Sequence, residues 1–280
     1  MPIHRLFILA FAAALGAATG AAVLAEFGSV QWVGEALANL RLQLALGSAL
    51  LAIAVLFLRM SWWRRLDLFL IAVALTGAHV LPLLPYISQP PPSLLQARPG
   101  AAPLRLLVAN LHSWASDLVA VEKLLRESQA DIVLLTELTP HHQRVFDAVR
   151  DLYPEQFGSP FQRDNTYAVR ILARPAMVTV LHHPVEYDYP VVQARFCPAI
   201  HKCLTTLSTH APRPGPDGRE RRNTVLQEIV VQTREALMRG DYVIAAGDFN
   251  ITAFSPDFTM FAEVGLTDSA LGRGYPSTWP

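Results

Sequence analysis

The chain has 280 residues, and its 23 basic and 23 acidic residues give a formal net charge of zero. Charged residues make up only 16% of the sequence and hydrophobic residues 52%, which is too apolar for an ordinary soluble enzyme. Residues 1–103 hold 6 basic and 3 acidic residues, against 17 and 20 in residues 104–280. An almost uncharged N-terminal part therefore precedes a slightly acidic globular part, whose charge gives no electrostatic case for tight binding of duplex DNA.

Three apolar runs fill the N-terminal part, each close to the roughly 20 residues that a membrane-spanning helix needs. They are Leu6–Ala25, Leu42–Leu58 and Leu68–Ile87, and His79 is the only residue in them that titrates near neutral pH. We predict a membrane domain of three transmembrane helices over residues 1–87. Buried helices of a soluble protein are the alternative, which charge-free runs of this length disfavour. For the first run, a cleaved signal peptide also fits the sequence.

The placement of arginine predicts the orientation of these helices. Arg5 precedes the first run and three arginines lie between the second and third, whereas Glu26–Arg41 holds one arginine and two glutamates. The positive-inside rule puts the N-terminus and the "RMSWWRRLD" loop in the cytoplasm, with Trp62 and Trp63 as interfacial anchors. Three crossings then leave the C-terminal domain on the periplasmic side of a bacterial inner membrane, with the lipid bilayer as a partner.

Residues 88–103 are rich in proline and predict a stiff tether to a domain that covers residues 104–280. In that domain, short apolar strands alternate with amphipathic helices, a pattern that predicts an α/β fold whose sheets are covered by helices. Two adjacent pairs of segments are predicted to be antiparallel strands: Thr166–Pro175 with Met177–Val185, and Val191–Cys197 with Cys203–His210.

The two cysteines, Cys197 and Cys203, lie on the two arms of the second predicted hairpin. In an oxidising compartment they can form a disulfide across the hairpin. Two free thiols fit the sequence equally well, so the pairing stays open at this point.

Polar residues stand at the ends of four otherwise apolar strands. They are Asn110, Glu137, His210, Asp248 and Asn250. Each alone fits an ordinary turn or surface position, but five such residues at one edge of a sheet sandwich predict a site.

Hydrolysis of a phosphoester by water is the chemistry that would use this set. Mg²⁺ binds a few carboxylate or amide oxygens and keeps several waters, and Glu137 with Asn110 would supply such ligands. His210 could exchange a proton near neutral pH. Asp248 could orient or deprotonate the attacking water, and Asn250 could donate a hydrogen bond to a phosphate oxygen.

Four segments resemble, in order, the motifs of the endonuclease/exonuclease/phosphatase superfamily. They are "LLVANLHS", "ADIVLLTELTP", "LSTHAPRP" and "VIAAGDFNIT", within residues 104–252. The resemblance implies a four-layer αββα sandwich, preceded here by the three membrane helices, and a Mg²⁺-dependent hydrolase in which Mn²⁺ can replace Mg²⁺. It also implies that Asn110 and Glu137 hold the metal, that His210 is the active-site acid, and that Asp248 and Asn250 position nucleophile and phosphate.

The closing motifs of that family, an Asp and an Asp-His pair, are not found before Pro280, and no histidine follows His210. We therefore expect a domain that lacks its last two or three strands. This expectation supports a competing hypothesis, in which the outer domain is catalytically inactive and only binds a ligand or partner.

Further candidates lie near these motifs. Arg222 and His112 are predicted to bind substrate, although an arginine that precedes a helix is usually solvated. The neighbouring histidines of "HH" at 141–142 and 182–183 point in different directions on a helix or strand and are predicted to lie on the surface. The sequence does not identify the phosphoester substrate, which could be a lipid, a nucleic acid or a small molecule.

Overall fold

The computed structural model describes residues 3–26, 32–90, 103–113, 117–161, 167–185, 189–197, 202–213, 215 and 217–274. Contacts divide the chain into two units. The helical unit comprises residues 1–97, 252–262 and 267–280, and the sheet unit comprises residues 98–251 and 263–266. The sequence predicted a boundary at residues 88–103, whereas the contacts group much of the segment after residue 251 with the N-terminal helices. Most of the predicted tether, residues 91–102, lies outside the described part of the chain.

The N-terminal helices of the helical unit are α1 (Ile3–Glu26), α2 (Trp32–Asn39), α3 (Arg41–Val55), α4 (Trp62–Val80) and α5 (Leu84–Ser88). A 3-10 turn at Leu81–Leu83 joins α4 to α5. Apolar side chains of α1, α3 and α4 pack together, among them Leu15, Val55 and Leu75. The outward faces remain apolar, and Phe7, Leu50 and Ile71 are exposed, as expected for helices surrounded by lipid.

Two helical stretches are long and apolar enough to cross a membrane, Leu6–Ala25 and Trp62–Ser88. The second predicted run, Leu42–Leu58, falls mainly on α3, which ends at Val55 and is too short by itself. Segments 33–39 and 41–55 pass the same test together as a pair bent by 75°, which would give a third, broken span. The predicted "RMSWWRRLD" loop is shorter than expected, because α4 already begins at Trp62. Arg65 satisfies a carbonyl of that turn by donating from Nη2 to the Leu58 oxygen.

The sheet unit contains two four-stranded sheets. The first comprises β1 (Leu106–Asn110), β2 (Ile132–Leu138), β3 (Glu155–Gly158) and β4 (Ala168–Ala173), in the order β1-β2-β4-β3. The second comprises β5 (Thr179–Val185), β6 (Tyr189–Phe196), β7 (Leu204–Thr209) and β8 (Tyr242–Ala245), in that order. The pairs β1–β2 and β7–β8 are parallel, and the other neighbours are antiparallel.

Helices α6 (Leu118–Ser128), α7 (Gln143–Ala148) and α8 (Gly218–Met238) cover the sheets. Because side chains alternate along a strand, β2 faces two cores: Val133 joins the cluster of α6 and α7, whereas Leu134 joins a cluster shared with β6. Helix α8 packs against β6, β7 and β8. The layers therefore follow the order helix, sheet, sheet, helix, which confirms the predicted α/β sandwich.

Two expectations for the strands were wrong or incomplete. β4 and β5 do not pair with each other, because the chain leaves the first sheet after Ala173, and β5 pairs with β6 in the second sheet. Arg174 still donates its backbone N–H to the Asp131 oxygen at 2.9 Å, and Pro175 after it has no N–H to continue the ladder. β3 was not predicted, since "EQFG" is a short strand without the apolar alternation that marks a buried strand.

The histidines at 141–142 and 182–183 were predicted to lie on the surface, and for His142 this was wrong. His142 is fully buried and its Nδ1 lies 3.1 Å from both the Oγ1 and the backbone nitrogen of Thr139, as part of a capping box. Thr139 thus caps the turn that begins at Pro140.

Cys197 and Cys203 form a disulfide across the ends of β6 and β7. The structure thus decides between the two alternatives that the sequence left open. The expected loss of the last strands concerns residues up to Pro280, of which 275–280 lie outside the described part of the chain, and it stays a prediction.

Candidate active site

The polar residues predicted from the sequence meet where strands of the two sheets end. Asn110 is the last residue of β1, and Glu137 is the last but one of β2. His210 follows β7 and forms an isolated parallel bridge with Asp248, which extends the β7–β8 ladder beyond both strands. Each sheet therefore contributes the ends of two parallel strands to one site.

The backbone at this site includes residues with positive φ, a conformation that few residues other than glycine adopt. The described residues outside glycine with positive φ are His112, Gln129, Glu137 and Asn250, with φ of 52°, 48°, 57° and 47°. Gln129 ends helix α6 in a left-handed cap, but the other three belong to the site or flank it. Such conformations cost free energy and cluster at functional sites.

The bend at Glu137 coincides with a break in strand pairing. β2 pairs with β4 in register up to Leu135, and the register shifts before Leu138. The bulge turns the Glu137 side chain into the site, although every residue of β2 is buried. The sequence showed only a polar residue near a strand end and could not show this bulge.

The carboxylate of Glu137 is 4% exposed and held by several groups. Asn110 Nδ2 donates to its Oε1 at 2.9 Å, and the backbone nitrogen of Ser113 donates to its Oε2 at 3.2 Å. Burial opposes ionisation, but these hydrogen bonds and the neighbouring His210 and Arg213 outweigh burial and lower the pKa of Glu137. The carboxylate is therefore ionised at neutral pH.

Asn110 joins the two carboxylates of the site. Its Nδ2 donates to Glu137 and, at 2.8 Å, to Oδ2 of Asp248, while its Oδ1 accepts from the backbone nitrogen of His112. The amide nitrogen, which is a donor only, thus faces the acids. The predicted role of Asn110 as a metal ligand would require the amide to rotate by about 180° so that Oδ1 faces the cation. His112, predicted to bind substrate, is exposed beside it.

His210 lies between the carboxylates and is only 2% exposed. Its Nε2 is 3.7 Å from Oε1 of Glu137 and 3.8 Å from Oδ2 of Asp248. The ring of Tyr167 packs at 4.8 Å between centroids. This position places the imidazole within reach of both carboxylates and of any group that enters between them.

The loop from Gly247 to Asn250 is pressed against β7. A Cβ on Gly247 would lie 2.2 Å from the Thr209 carbonyl oxygen, so only glycine fits. Asp248 exchanges backbone hydrogen bonds with this edge: its nitrogen donates to the Thr209 oxygen at 3.1 Å, and its oxygen accepts from Ala211 at 2.8 Å. The glycine therefore allows the backbone of this loop to approach β7 closely.

Asn250 stabilises the same loop. Its backbone nitrogen donates to Oδ1 of Asp248 at 3.0 Å, and its Nδ2 donates to the carbonyl oxygen of Ala211 at 2.7 Å. One amide hydrogen is thus used within the protein, which leaves the second for the predicted bond to phosphate.

Two arginines lie near this site, and one is buried whereas the other is exposed. Arg222, predicted to bind substrate, is fully buried, with Nη1 at 3.4 Å from the Asn250 carbonyl oxygen and Nη2 at 3.0 Å from Oδ1 of Asn223. Its burial favours support of the loop over contact with substrate.

Arg213 has a side chain that is 72% exposed, and its Nη2 lies 3.7 Å from Oε1 of Glu137. It was not singled out from the sequence, although it lies three residues after His210.

Within the described part of the chain, one group of side chains could hold a metal ion: Glu137, His210 and Asp248. One ligand atom from each lies within 4.8 Å of the others. Two carboxylates suit a hard divalent cation, and an imidazole is also a ligand for softer ions of the first transition series. The donor set therefore fits a divalent cation, with the sequence-predicted Glu137 in it and Asp248 in place of the amide oxygen of Asn110.

Residues 107–280 match the family model described as "Endonuclease/Exonuclease/phosphatase family". This match covers more than half of the chain, and it agrees with the sandwich and with the site at the strand ends. The chain belongs to the endonuclease/exonuclease/phosphatase family, whose members hydrolyse phosphoesters. No curated protein matches the sequence.

Several solved structures resemble the chain. TDP2 from Caenorhabditis elegans has a TM-score of 0.49 at 15% identity and covers 75% of this chain and 62% of its own. An endonuclease/exonuclease/phosphatase protein from Beutenbergia cavernae has 0.48 at 17%, covering 59% and 54%. The human nocturnin catalytic domain has 0.46 at 14%, covering 57% and 69%. The chain thus spans less than two thirds of the TDP2 structure, and likenesses this distant carry no information about substrate.

Proposed function

We propose that the chain is a membrane-anchored phosphoester hydrolase of the phosphodiesterase, endonuclease or phosphatase type that depends on Mg²⁺ or Mn²⁺. The observation that carries the proposal is the convergence of Glu137, His210 and Asp248, with ligand atoms within 4.8 Å of one another. The membership of the chain in a family of phosphoester hydrolases supports it.

The bound cation would neutralise charge on the phosphate and polarise its oxygens. Glu137 and Asp248 are the residues that would hold it, and Asn110 keeps their carboxylates together through two hydrogen bonds. Because Asn110 offers its nitrogen to both acids, it fixes their separation without adding negative charge. Asp248 also acts on the water, and the remaining residues act on the phosphate and the leaving group.

In the reaction we propose, a water oxygen adds to phosphorus and the bond from phosphorus to the ester oxygen breaks. Asp248 orients the water and takes its proton, and His210 gives a proton to the departing oxygen. Asn250 donates its remaining amide hydrogen to a phosphate oxygen. Arg213, exposed at the edge of the site, would bind a second phosphate oxygen.

A location in a bacterial inner membrane, with the sheet unit on the periplasmic side, is part of the proposal. Two helices of sufficient length and apolarity support membrane association. The Cys197–Cys203 disulfide supports an oxidising compartment. Lipid or envelope phosphoesters are the substrates that such a location favours. The 17 basic and 20 acidic residues of residues 104–280 give no reason to expect tight binding of duplex DNA.

Hydrolysis can be tested with the full chain in detergent micelles, using bis-p-nitrophenyl phosphate and p-nitrophenyl phosphate with Mg²⁺, Mn²⁺ or EDTA. We expect turnover that requires the cation and is lost in His210→Ala, by about 100-fold or more. Arg234→Ala, on an exposed part of α8, is the matched surface control. If the wild-type chain binds Mn²⁺ but hydrolyses neither probe nor a phospholipid headgroup, a silent binding protein becomes the better hypothesis.

The orientation is tested by fusing alkaline phosphatase, which is active only in the periplasm, after residue 60 or after residue 103. We expect activity from the second fusion alone. Activity from the first fusion and none from the second would reverse the proposed topology.

A further inference from the structure

Three aromatic side chains of the sheet unit, Tyr189, Tyr167 and His210, form a row at the candidate site. Tyr167 directly precedes β4 of the first sheet, whereas Tyr189 begins β6 and His210 follows β7, both in the second sheet. The ring of Tyr167 contacts the His210 imidazole at 4.8 Å between centroids and the Tyr189 ring at 4.5 Å. One tyrosine of the first sheet therefore touches two aromatic side chains of the second.

The backbone of Tyr167 is tied to the strand that carries Glu137. Ala168, the residue after Tyr167, pairs with Leu138 in the antiparallel ladder of β2 and β4. Leu138 in turn directly follows Glu137. Because a strand ladder holds its backbone by hydrogen bonds, the Tyr167 side chain starts from a point that is fixed relative to Glu137.

Tyr189 is the second anchor of the Tyr167 ring. Tyr189 is 8% exposed, and the two rings meet edge to face with 67° between their planes, a geometry that aromatic pairs favour. Burial and a hydrogen bond with the Tyr167 side chain raise the pKa of Tyr189 to about 12. The Tyr189 hydroxyl therefore stays protonated at neutral pH and keeps its bond to Tyr167.

The backbones of Tyr189 and His210 are fixed relative to each other. β6 and β7 pair at Val191 and Thr209, and Thr209 Oγ1 donates to the carbonyl oxygen of Pro190 at 2.7 Å. Pro190 follows Tyr189, and Thr209 precedes His210. The second sheet thus holds Tyr189 and His210 at a set separation, and the Tyr167 ring contacts both.

The orientation of the His210 imidazole is the property that this row can determine. The χ2 torsion of histidine has broad minima, so packing and hydrogen bonds decide where Nε2 points. The distances of 3.7 Å and 3.8 Å from Nε2 to carboxylate oxygens of Glu137 and Asp248 exceed the length of a hydrogen bond. Those two contacts do not fix the direction of the ring, whereas contact with the Tyr167 ring restricts its rotation.

We infer that Tyr167 is a positioning residue for the hydrolytic site: its ring, held by Tyr189, keeps Nε2 of His210 directed between the Glu137 and Asp248 carboxylates. The inference rests on the proposed function, in which His210 gives a proton to the departing oxygen. Tyr167 takes no part in that proton transfer and acts through the imidazole that it contacts.

The first measurement is the rate at which diethyl pyrocarbonate modifies the His210 imidazole in the full chain in detergent micelles. Peptide mass spectrometry separates this rate from those of the other histidines. His210 is 2% exposed in the wild type and should react slowly. We expect Tyr167→Leu, which removes the aromatic ring, to raise the rate at His210 roughly tenfold. Tyr242→Leu, at a tyrosine that is 50% exposed on β8, is the matched control and should leave the rate unchanged.

Turnover of bis-p-nitrophenyl phosphate by the same variants gives the second measurement. We expect Tyr167→Leu to lower kcat roughly tenfold with KM little changed, since a misdirected imidazole acts on the chemical step. Tyr167→Phe, which keeps the ring, should recover most of this loss. A rise in KM at constant kcat would instead make Tyr167 a contact of the substrate and would overturn the inference.

A double-mutant cycle tests the part that Tyr189 plays. Tyr167→Phe and Tyr189→Phe each remove the same hydrogen bond, so we expect each to lower kcat about threefold and their combination to lower it no further. Tyr153→Phe loses a buried hydroxyl that donates to the Leu125 oxygen away from the site, and it should match the wild type. Losses that multiply in the double variant would show that Tyr189 does not act through Tyr167.

The labelling and turnover measurements separate failure of this inference from failure of the proposed function. An unchanged labelling rate at His210 in Tyr167→Leu overturns the inference, whatever the activity. Faster labelling with unchanged kcat overturns it as well, because the imidazole would then move without consequence. If Tyr167→Leu does not fold, the cycle of hydroxyl variants decides. A wild-type chain that hydrolyses nothing would overturn the proposed function, while labelling would still decide whether Tyr167 holds the His210 ring.

Discussion

Nε2 of His210 lies 3.7 Å from Oε1 of Glu137, and both side chains are almost completely buried. His210 follows a strand of the second sheet and Glu137 is the last but one residue of a strand of the first, so their distance depends on how the two sheets pack. Because an acid and a base this close influence each other's ionisation, a change in one is expected to alter the behaviour of the other.

Replacing Glu137 by glutamine should remove metal binding. The variant keeps the size of the side chain and an acceptor for Ser113, but loses the charge that a divalent cation requires. We expect the affinity for Mn²⁺ to fall at least roughly tenfold, measured by calorimetric titration of the full chain. Glu127→Gln, in an exposed ion pair on α6, should bind Mn²⁺ as the wild type does. Unaltered affinity in Glu137→Gln would remove Glu137 from the site.

Replacing Gly247 by alanine should disturb the loop that carries Asp248. The new Cβ would meet the Thr209 carbonyl oxygen at 2.2 Å, and the φ of 154° disfavours a side chain. We expect a loss of stability of more than about 2 kcal/mol, seen as a lower Tm in fluorescence-detected melting. Gly215→Ala, where a Cβ meets nothing within 4 Å, serves as the comparison, and equal melting of the two variants would refute the argument.

Asp241 supports the sheet unit away from the site. Its carboxylate accepts from Arg195 Nε at 2.8 Å, Arg195 Nη2 at 2.9 Å and Thr205 Oγ1 at 2.9 Å. The bond from Arg195 is the main cause that lowers the pKa of Asp241, with burial acting against it. A carboxyl whose pKa is lower in the folded state stabilises the protein above its unfolded pKa, and this contribution is lost as the pH falls through the folded pKa.

We therefore expect Asp241→Asn to lower stability at pH 7 by about 2 kcal/mol. The difference between variant and wild type should begin to shrink below about pH 4, the usual pKa of an aspartate in an unfolded chain, and should vanish as the pH falls through the lower pKa of the folded state. Melting curves at several pH values measure both effects, and Asp147→Asn, in an exposed pair with Arg150, should differ little from wild type. A difference that stays constant with pH would show that charge on Asp241 is not the cause.

Arg213 is expected to bind the phosphate of the substrate. With the side chain 72% exposed and Nη2 at 3.7 Å from Glu137, it can move to a phosphate oxygen when a cation neutralises the carboxylate. We expect Arg213→Ala to raise KM for a phosphodiester about tenfold, and Arg213→Lys to raise it less, since lysine keeps the charge without the fork. A fall in kcat at constant KM would instead assign Arg213 to the chemical step.

The strands that carry the site could be predicted from the sequence because their signals are local. Each is a short apolar run that ends in Asn110, Glu137, His210 or Asp248, and buried parallel strands have this pattern. We expected these polar residues to lie close together because five of them stand at the ends of four apolar strands. The roles of the side chains were harder to predict, because the direction of the Asn110 amide depends on partners 27 and 138 residues away.

Other features could not be predicted, because they depend on contacts between distant residues. The bulge at Glu137 arises from pairing with β4, and no local rule marks it. Nothing in the sequence links Glu35 to Ser255, which lies 220 residues later and donates a hydrogen bond to it. Arg222 was predicted to bind substrate, with a solvated charge as the alternative, and its burial follows from how α8 packs.

The hydrogen bond from Asn110 to Asp248 joins residues that are 138 positions apart. At a synthesis rate of about 5–20 residues per second, Asp248 leaves the ribosome on the order of ten seconds after Asn110. During that interval the growing chain has Glu137 and Asn110 but lacks half of the carboxylate pair. Under the proposed function, the nascent chain therefore lacks one of the two carboxylates of the site until Asp248 has been made, and we expect hydrolysis only after the second sheet has formed.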